Sequence, residues 1–505
     1  MELNNRRLVR TSPERQGVSS ARVLEALKAL DSNENEVHGV MIARNNCVIS
    51  ESWPRPYEAA FPHTNHSMGK SYTCTAVGIA CTEGLLDPED KMVDLLSEEI
   101  GRYGVEVSPL FKRMRLRDVM AMAGGMTSMP MFDDCWLENF LRHPVEKEPG
   151  TWFCYNSIGS CLLGAIVEKV AGCSLYDYLR RKLFDRIGIG EGDLVWQKFG
   201  SGIYAEPGVS ATTEANLRLG LFYLAQGRAD GEQIVSREWM QQATSHQVNT
   251  DNQPGEADLQ KGYGWQLWMC SKPGAFRFDG GQGQYCVVDP ATRTVIAVHE
   301  GGMHPTGVQK TLDILERLLC DMGDDALPED PEALDALRRF ELSRSLPQPE
   351  TAPIPAGATR FNGTYVVREG HANFWMEAFP DNVEFYHMFY DPYVARDIQF
   401  LSLKLENGAV RMAVNERSVF RVRLDGVMEA CETLQVLPHL PMTCATGHFS
   451  DENTLRIRLR WLNSWVAYDI TLRLEGLNLA ISVSKGMRHE GKPPVIQNAV
   501  ARRIG

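Results

Sequence analysis

The chain has 505 residues, 43% hydrophobic and 23% charged, the balance of an ordinary globular protein with room for about two or three domains. Its 52 basic side chains are outnumbered by 65 acidic ones, a formal net charge of −13, which argues against a nucleic-acid or anionic-membrane partner. The opening segment, Met1-Glu2-Leu3-Asn4-Asn5-Arg6-Arg7, has no apolar core, and no later run of about eighteen apolar residues marks a membrane span or export signal.

The first clear pattern is a hairpin over residues 37–49, with Val40-Met41-Ile42-Ala43 and Cys47-Val48-Ile49 flanking Arg44-Asn45-Asn46. Next comes His66-Ser67-Met68-Gly69-Lys70, a serine three residues ahead of a lysine at a helix start. Positions i and i+3 of a helix share a face, so Lys70 is expected to hold its amine beside the Ser67 hydroxyl. The run from Tyr72 to Leu86 is apolar, with Glu83 as its one charge. It reads as a helix buried on most sides, where desolvation works against a lysine's positive charge. His63 and His66 flank the serine and offer an alternative base, the lesser reading because Lys70 already supplies one.

Residues 67 to about 245 read as mainly helical, with Gly/Pro-rich breaks. Pro149-Gly150 opens a turn that leads to Tyr155-Asn156-Ser157, and Leu162-Leu163-Gly164-Ala165-Ile166-Val167 begins a helix. Cys154 reads as a small buried residue rather than a second nucleophile. Strand patterns return over Gly264 to Cys270, Gln284 to Val288 and Thr294 to His299, and a helix is expected over Thr306 to Leu319. The early hairpin is expected to join the late strands in one antiparallel sheet. In Arg277-Phe278-Asp279-Gly280-Gly281-Gln282-Gly283-Gln284-Tyr285 the glycines allow a backbone to approach a ligand closely. His299 and His304 lie five apart with paired glycines between them, the wrong spacing for a metal-binding helix, so no metal is expected there. No Gly-x-Ser-x-Gly elbow occurs, which argues against an α/β-hydrolase.

Pro347, Pro349, Pro353 and Pro355 mark a stiff linker. From Phe361 alternation dominates, most clearly in Leu455 to Leu462, Val466 to Leu474 and Leu477 to Ser484; about eight short strands suggest a small barrel. The expected organisation is a domain over 1–340, a linker over 341–358 and an all-β domain over 359–505. An aromatic cluster (Phe374, Trp375, Phe379, Phe385, Tyr386, Phe389, Tyr390, Tyr393) reads as barrel core or interdomain packing. A second Ser-x-x-Lys, Ser482 to Lys485, falls on a strand pattern, where the two residues belong to opposite faces; it is read as coincidence. Twelve cysteines without framework spacing fit free thiols in a reducing cytoplasm, the expected address.

Ser67-x-x-Lys70 and the Tyr155 triplet, with the ordered blocks from Thr82 to Asp90, Leu116 to Met120, Gly208 to Thr213 and Gly262 to Gln266, resemble the serine β-lactamase-like family over about residues 10 to 320. That family takes in class C β-lactamases, D-Ala-D-Ala carboxypeptidases, D-aminopeptidases and related carboxylesterases. The resemblance implies an α+β fold, an antiparallel sheet flanked by helices with a large helical insertion, followed here by a lipocalin-like antiparallel barrel. It implies Ser67 as the acylated nucleophile, with Lys70 and Tyr155 as bases whose division of labour in acylation stays open. By the same resemblance the amides of Ser67 and Gly281 form the oxyanion hole, and Asn156, Ser157, Phe278, Asp279 and Gly280 contact substrate.

Two positions depart from the family's pattern. Ser157 stands where Tyr-x-Asn has its asparagine. Phe278 stands where Lys-Thr-Gly or His-x-Gly has its basic residue, and Asp279 follows. An acceptor-only carboxylate there disfavours an anionic substrate, against an efficient β-lactamase or D-Ala-D-Ala carboxypeptidase. The expected function is a serine hydrolase acting on a small neutral or cationic ester or amide. A D-aminopeptidase is its more specific form, with Asp279 meeting a free amine. A non-catalytic binding protein that keeps the penicillin-recognising fold is the alternative, and a weak β-lactamase the third reading. The partner expected is a small-molecule substrate, with no nucleic acid, membrane or cofactor.

Overall fold

The early hairpin and the late strands do meet in one sheet. In the computed structural model, which describes residues 3–198, 204–255, 257–302, 305–320, 322–374, 397–433, 440–485 and 496–504, seven strands form it. Their order is Val9–Arg10, Cys47–Ser52, Glu36–Arg44, Thr294–Gly301, Gln284–Asp289, Phe276–Gly280 and Trp268–Met269. Pairing is antiparallel, with Ile42 opposite Ile296 and Phe278 opposite Cys286, except that Val9–Arg10 runs parallel to Cys47–Ser52.

Side chains alternate across this sheet, and each face has its own cover. Val40, Ile42, Ile296 and Val298 pack with Val23, Leu27 and Leu30 of the helix Ser20–Asp31 and with Leu312, Leu315 and Leu319 of the helix Pro305–Cys320. Met41, Ala43, Val295 and Ala297 face the helix Thr213–Leu224 and the helical region beyond it. Through that region runs the helix Gly69–Thr82, buried at every residue from Gly69 to Ala80. It packs against the helix Ser157–Ala171, which begins earlier than the apolar run at Leu162 indicates.

Two elements differ from the sequence reading. Only Trp268–Met269 of the stretch from Gly264 to Cys270 is a strand; before it Gly264 N–H bonds the Leu267 carbonyl at 2.9 Å and Gln266 takes a left-handed φ of 56°. Inside the helical region, His63–Thr64, Tyr204–Ala211 and Leu194–Lys198 form a separate three-stranded sheet.

From Gly363 the chain builds a closed barrel of nine strands among the described residues. Closure is made by a parallel pairing of Ser418–Arg423 with Met442–Asp451, Val422 facing Ala445 and Arg423 facing Thr446. The strand Thr454–Trp461 turns Leu455, Ile457, Leu459 and Trp461 inward. Phe374 packs edge-on against Phe420, which meets Trp461 in turn. The other members of the aromatic cluster, Trp375, Phe379, Phe385, Tyr386, Phe389, Tyr390 and Tyr393, lie outside the described residues, as does His304.

Candidate active site

Ser67 sits in a single 3-10 turn, His66–Met68, that runs directly into the helix Gly69–Thr82. The turn is entered through His66 at a φ of 46°, a left-handed conformation that costs a side-chain-bearing residue about 1–2 kcal/mol. Three residues later Lys70 is 1% exposed, and its Nζ donates to Ser67 Oγ at 2.9 Å. The same Nζ lies 4.8 Å from the centre of the Tyr155 ring. That ring stacks on Trp268, with centroids 6.1 Å and planes 17° apart, and Trp268 packs against Phe153 and Tyr263. The helix start and the sheet edge thus bring Ser67, Lys70 and Tyr155 together.

The strand Phe276–Gly280 ends against the serine turn. A Cβ on Gly280 would collide with the Asn65 carbonyl oxygen, so only glycine lets the two backbones approach this closely. A Cβ on Gly281, next along the chain and exposed, would lie 4.0 Å from His66 Cγ. Beneath the following turn the Glu300 carboxyl fills the space a Cβ on Gly283 would need. Burial pushes this carboxyl up to about 8, against the opposing effect of hydrogen bonds from Thr311 and Asn35.

A buried polar network backs the serine turn. His38 Nδ1 and His63 Nε2 are 2.9 Å apart, and His63 stacks on His299 at 4.7 Å. His299 Nε2 lies 2.8 Å from Asn216 Nδ2, and Asn216 and Asn65 exchange two side-chain bonds at 2.9 Å. Both ring nitrogens of His63 are occupied, by His38 and the Thr64 carbonyl, whereas Lys70 touches Ser67 Oγ.

The family model described as Beta-lactamase matches residues 6–320, more than half of the chain. The chain belongs to the beta-lactamase family. It is a family of serine hydrolases, and the chain's fold is that of the β-lactamases and transpeptidases. A 6-aminohexanoate-dimer hydrolase of Paenarthrobacter ureafaciens is 24% identical over 280 residues, 51% of this chain and 70% of that protein. A protein of Escherichia coli O157:H7 assigned provisionally as a D-alanyl-D-alanine carboxypeptidase is 23% identical over 217 residues, 36% of this chain and 49% of that protein, so the chain spans about half its length. A penicillin-binding protein homologue of Caulobacter crescentus is similar in fold, at 15% identity and a TM-score of 0.48, over 61% of this chain and 99% of that one.

Three of the positions the family resemblance assigns to substrate have partners within the protein. Phe278 is fully buried and meets Tyr223 edge-on at 4.8 Å; strand parity turns it into the core between sheet and helix. Asn156 caps the helix Ser157–Ala171, accepting from Gly159 N–H at 3.1 Å, and its amide donates to Met126 Sδ at 3.5 Å. Asp279 shares a face with Arg277, whose Nε donates to its carboxylate at 2.7 Å. Arg277 itself is 1% exposed and also faces Asp258, whose Oδ1 lies 3.9 Å from its Nη1, so the two carboxylates share one guanidinium. Ser157 is half-buried at the first position of its helix.

Three contributors escaped the sequence reading. Trp268, which braces Tyr155, lies just past the Gly262 to Gln266 block and was within reach of it. The Arg277–Asp279 pair follows from the i, i+2 spacing of a strand face. Asn463 and Trp465 of the barrel come up against the segment before Ser67, at a sequence separation of 401 between Asn463 and Pro62.

Proposed function

We propose that this protein hydrolyses small, neutral esters or amides through an acyl-enzyme on Ser67. The observation that carries the reading is the 2.9 Å bond from buried Lys70 Nζ to Ser67 Oγ. The amine sits within reach of the serine proton, and its neutral form is the one able to take it. Ser67 Oγ attacks the substrate carbonyl carbon as its proton passes to Lys70, directly or through the Tyr155 phenol. The amides of Ser67 and Gly281 donate to the oxygen that becomes negative. Collapse of the tetrahedral intermediate expels the alcohol or amine, which takes the proton. Water then attacks the acyl carbon, releases the acid and returns the proton to Ser67.

The preference for neutral substrates rests on the Arg277–Asp279 pair. With its carboxylate already engaged by Arg277, Asp279 is a poorer partner for a free amine, which weighs against the D-aminopeptidase form. Intact-protein mass spectrometry after a fluorophosphonate probe tests the proposal. One adduct is expected in the wild type, none in Ser67→Ala and slower labelling in Lys70→Ala, followed by turnover of short p-nitrophenyl esters. A folded wild type that takes no adduct would end it.

A further inference from the structure

The barrel reaches the nucleophile turn through residues 462–466, which join the strands Thr454–Trp461 and Ala467–Glu475. This connection is a tight hairpin, with Trp461 N–H on the Val466 carbonyl at 3.2 Å and Ser464 N–H on the Trp461 carbonyl at 3.1 Å. A hairpin tip is ordinarily solvated. Here Leu462, Asn463, Ser464 and Trp465 are all buried: Asn463 and Trp465 meet residues 62–66, and Leu462 packs with Tyr57, Leu346 and Cys444.

The contacts are specific. Thr64 N–H donates to the Asn463 carbonyl at 2.9 Å, and Asn463 Nδ2 donates to the Pro62 carbonyl at 2.7 Å. The Asn463 side chain is held in turn from the barrel, its Oδ1 accepting from Met442 N–H at 2.8 Å. Farther along, the Trp465 ring lies 6.2 Å from the His66 ring, centroid to centroid. On the opposite side of this segment Asn65 N–H bonds the Val209 carbonyl at 2.9 Å, and His63 and Thr64 pair with Ala211 and Ser210. The five residues before Ser67 are therefore gripped from two sides, by a strand of the catalytic domain and by a hairpin of the barrel.

His66 is where that grip matters. Its left-handed backbone is unfavourable for a residue with a Cβ and persists where the surroundings over-determine it. Its ring also borders the glycine turn, since a Cβ on Gly281 would lie 4.0 Å from His66 Cγ. We infer that the barrel is a working part of the active site, with Asn463 and Trp465 as positioning residues that hold His66, and through it Ser67, in register with Lys70 and Gly281. This inference rests on the reading of Ser67 as nucleophile, and the hairpin's grip on the turn can be measured separately from it.

The test uses the full chain and the variants Trp465→Ala, Trp465→Phe and Asn463→Ala, with two readouts. In hydrogen exchange, the peptide covering residues 62–70 is expected to exchange at least about tenfold faster in Trp465→Ala and Asn463→Ala than in the wild type, with the helix Ser157–Ala171 unaffected. In fluorophosphonate labelling and ester turnover, Trp465→Ala is expected to lower the labelling rate and kcat by about 10- to 100-fold with KM within threefold, and Trp465→Phe to restore most of the loss. Should Trp465→Ala fail to fold, Asn463→Ala, which removes the side-chain bonds to the Pro62 carbonyl and from Met442 N–H, carries both readouts alone. Unchanged exchange over 62–70, or unchanged kcat with faster exchange, overturns the inference. Faster exchange in a protein whose wild type never labels would instead break the assignment of Ser67 while leaving the hairpin's grip standing.

Discussion

The same four-residue spacing occurs twice in this protein and does two different things. At Ser67 and Lys70 it spans a 3-10 turn and the first turn of a buried helix, and the two side chains meet at 2.9 Å. At Ser482 and Lys485 it lies on the strand Asn478–Lys485 of the barrel, where residues three apart belong to opposite faces. At this spacing helical geometry brings the lysine beside the hydroxyl, and strand geometry does not. The motif is therefore a statement about backbone conformation as much as about residue identity.

The largest expected effect lies in the first copy. Ser67→Ala should abolish the fluorophosphonate adduct and lower ester turnover by about 10^3-fold or more, read by intact mass and initial rates. Lys70→Arg should be nearly as damaging, by about 10^2- to 10^4-fold, because guanidinium keeps the charge but cannot accept a proton. Tyr155→Phe should cost less than Lys70→Arg if the lysine is the acylation base, and as much if the phenol is. Turnover that survives Lys70→Arg would break the contrast, since proximity to an amine would then not be what separates the two copies.

The surroundings of the first copy also make it sensitive to pH, through groups of opposite sign. Burial pushes His63 down to about 3 and holds His38 and His299 well below 6.5. Between 6.5 and about 3 the unfolded chain binds protons that the folded one does not, so these groups stabilise the fold above 6.5 and withdraw that support as pH falls. Glu300 works the other way. Its carboxyl keeps its proton up to about 8 when folded but releases it near 4.5 when unfolded, so stability declines as pH rises through that window. Glu300→Gln, which keeps one oxygen to accept from Asn35 and turns an N–H toward the Thr311 hydroxyl, should therefore gain stability over the wild type with rising pH, by about 1 kcal/mol per unit between pH 5 and 8. Urea midpoints across that range check it; a difference that stays flat with pH would show that Glu300 is ionised in the folded protein.

Local patterns carried much of this architecture. The hairpin over 37–49, the helix after Lys70 and the strands Gln284–Asp289 and Thr294–Gly301 follow from apolar periodicity, and the family resemblance rests on short ordered blocks within the region the family model matches. Substrate contacts were less legible because a motif aligns a residue without fixing which way it points. Strand parity buries Phe278 against Tyr223 and pairs Asp279 with Arg277, and the N-cap preference of asparagine draws Asn156 into its own helix. The alternation rule that separated Ser482 from Lys485 also predicts the Arg277–Asp279 pair. No local rule predicts that Asn463 bonds the Pro62 carbonyl, because that contact is set by how two separately patterned units dock.

The smallest expected effect completes the comparison. Ser482 is half-buried and sits opposite Thr471 on one neighbouring strand and Asn498 on the other. Cross-strand polar pairs of this kind are worth about 0.2–1 kcal/mol, so Ser482→Ala should shift the urea midpoint by no more than that. Labelling and turnover should stay within twofold of the wild type, since no helical turn brings an amine to this hydroxyl. The two serine-to-alanine changes alter the same atom in the same motif, so conformation is the variable that differs between them. A second adduct in the wild type that disappears with Ser482→Ala would mean that a strand can also activate a serine at this spacing.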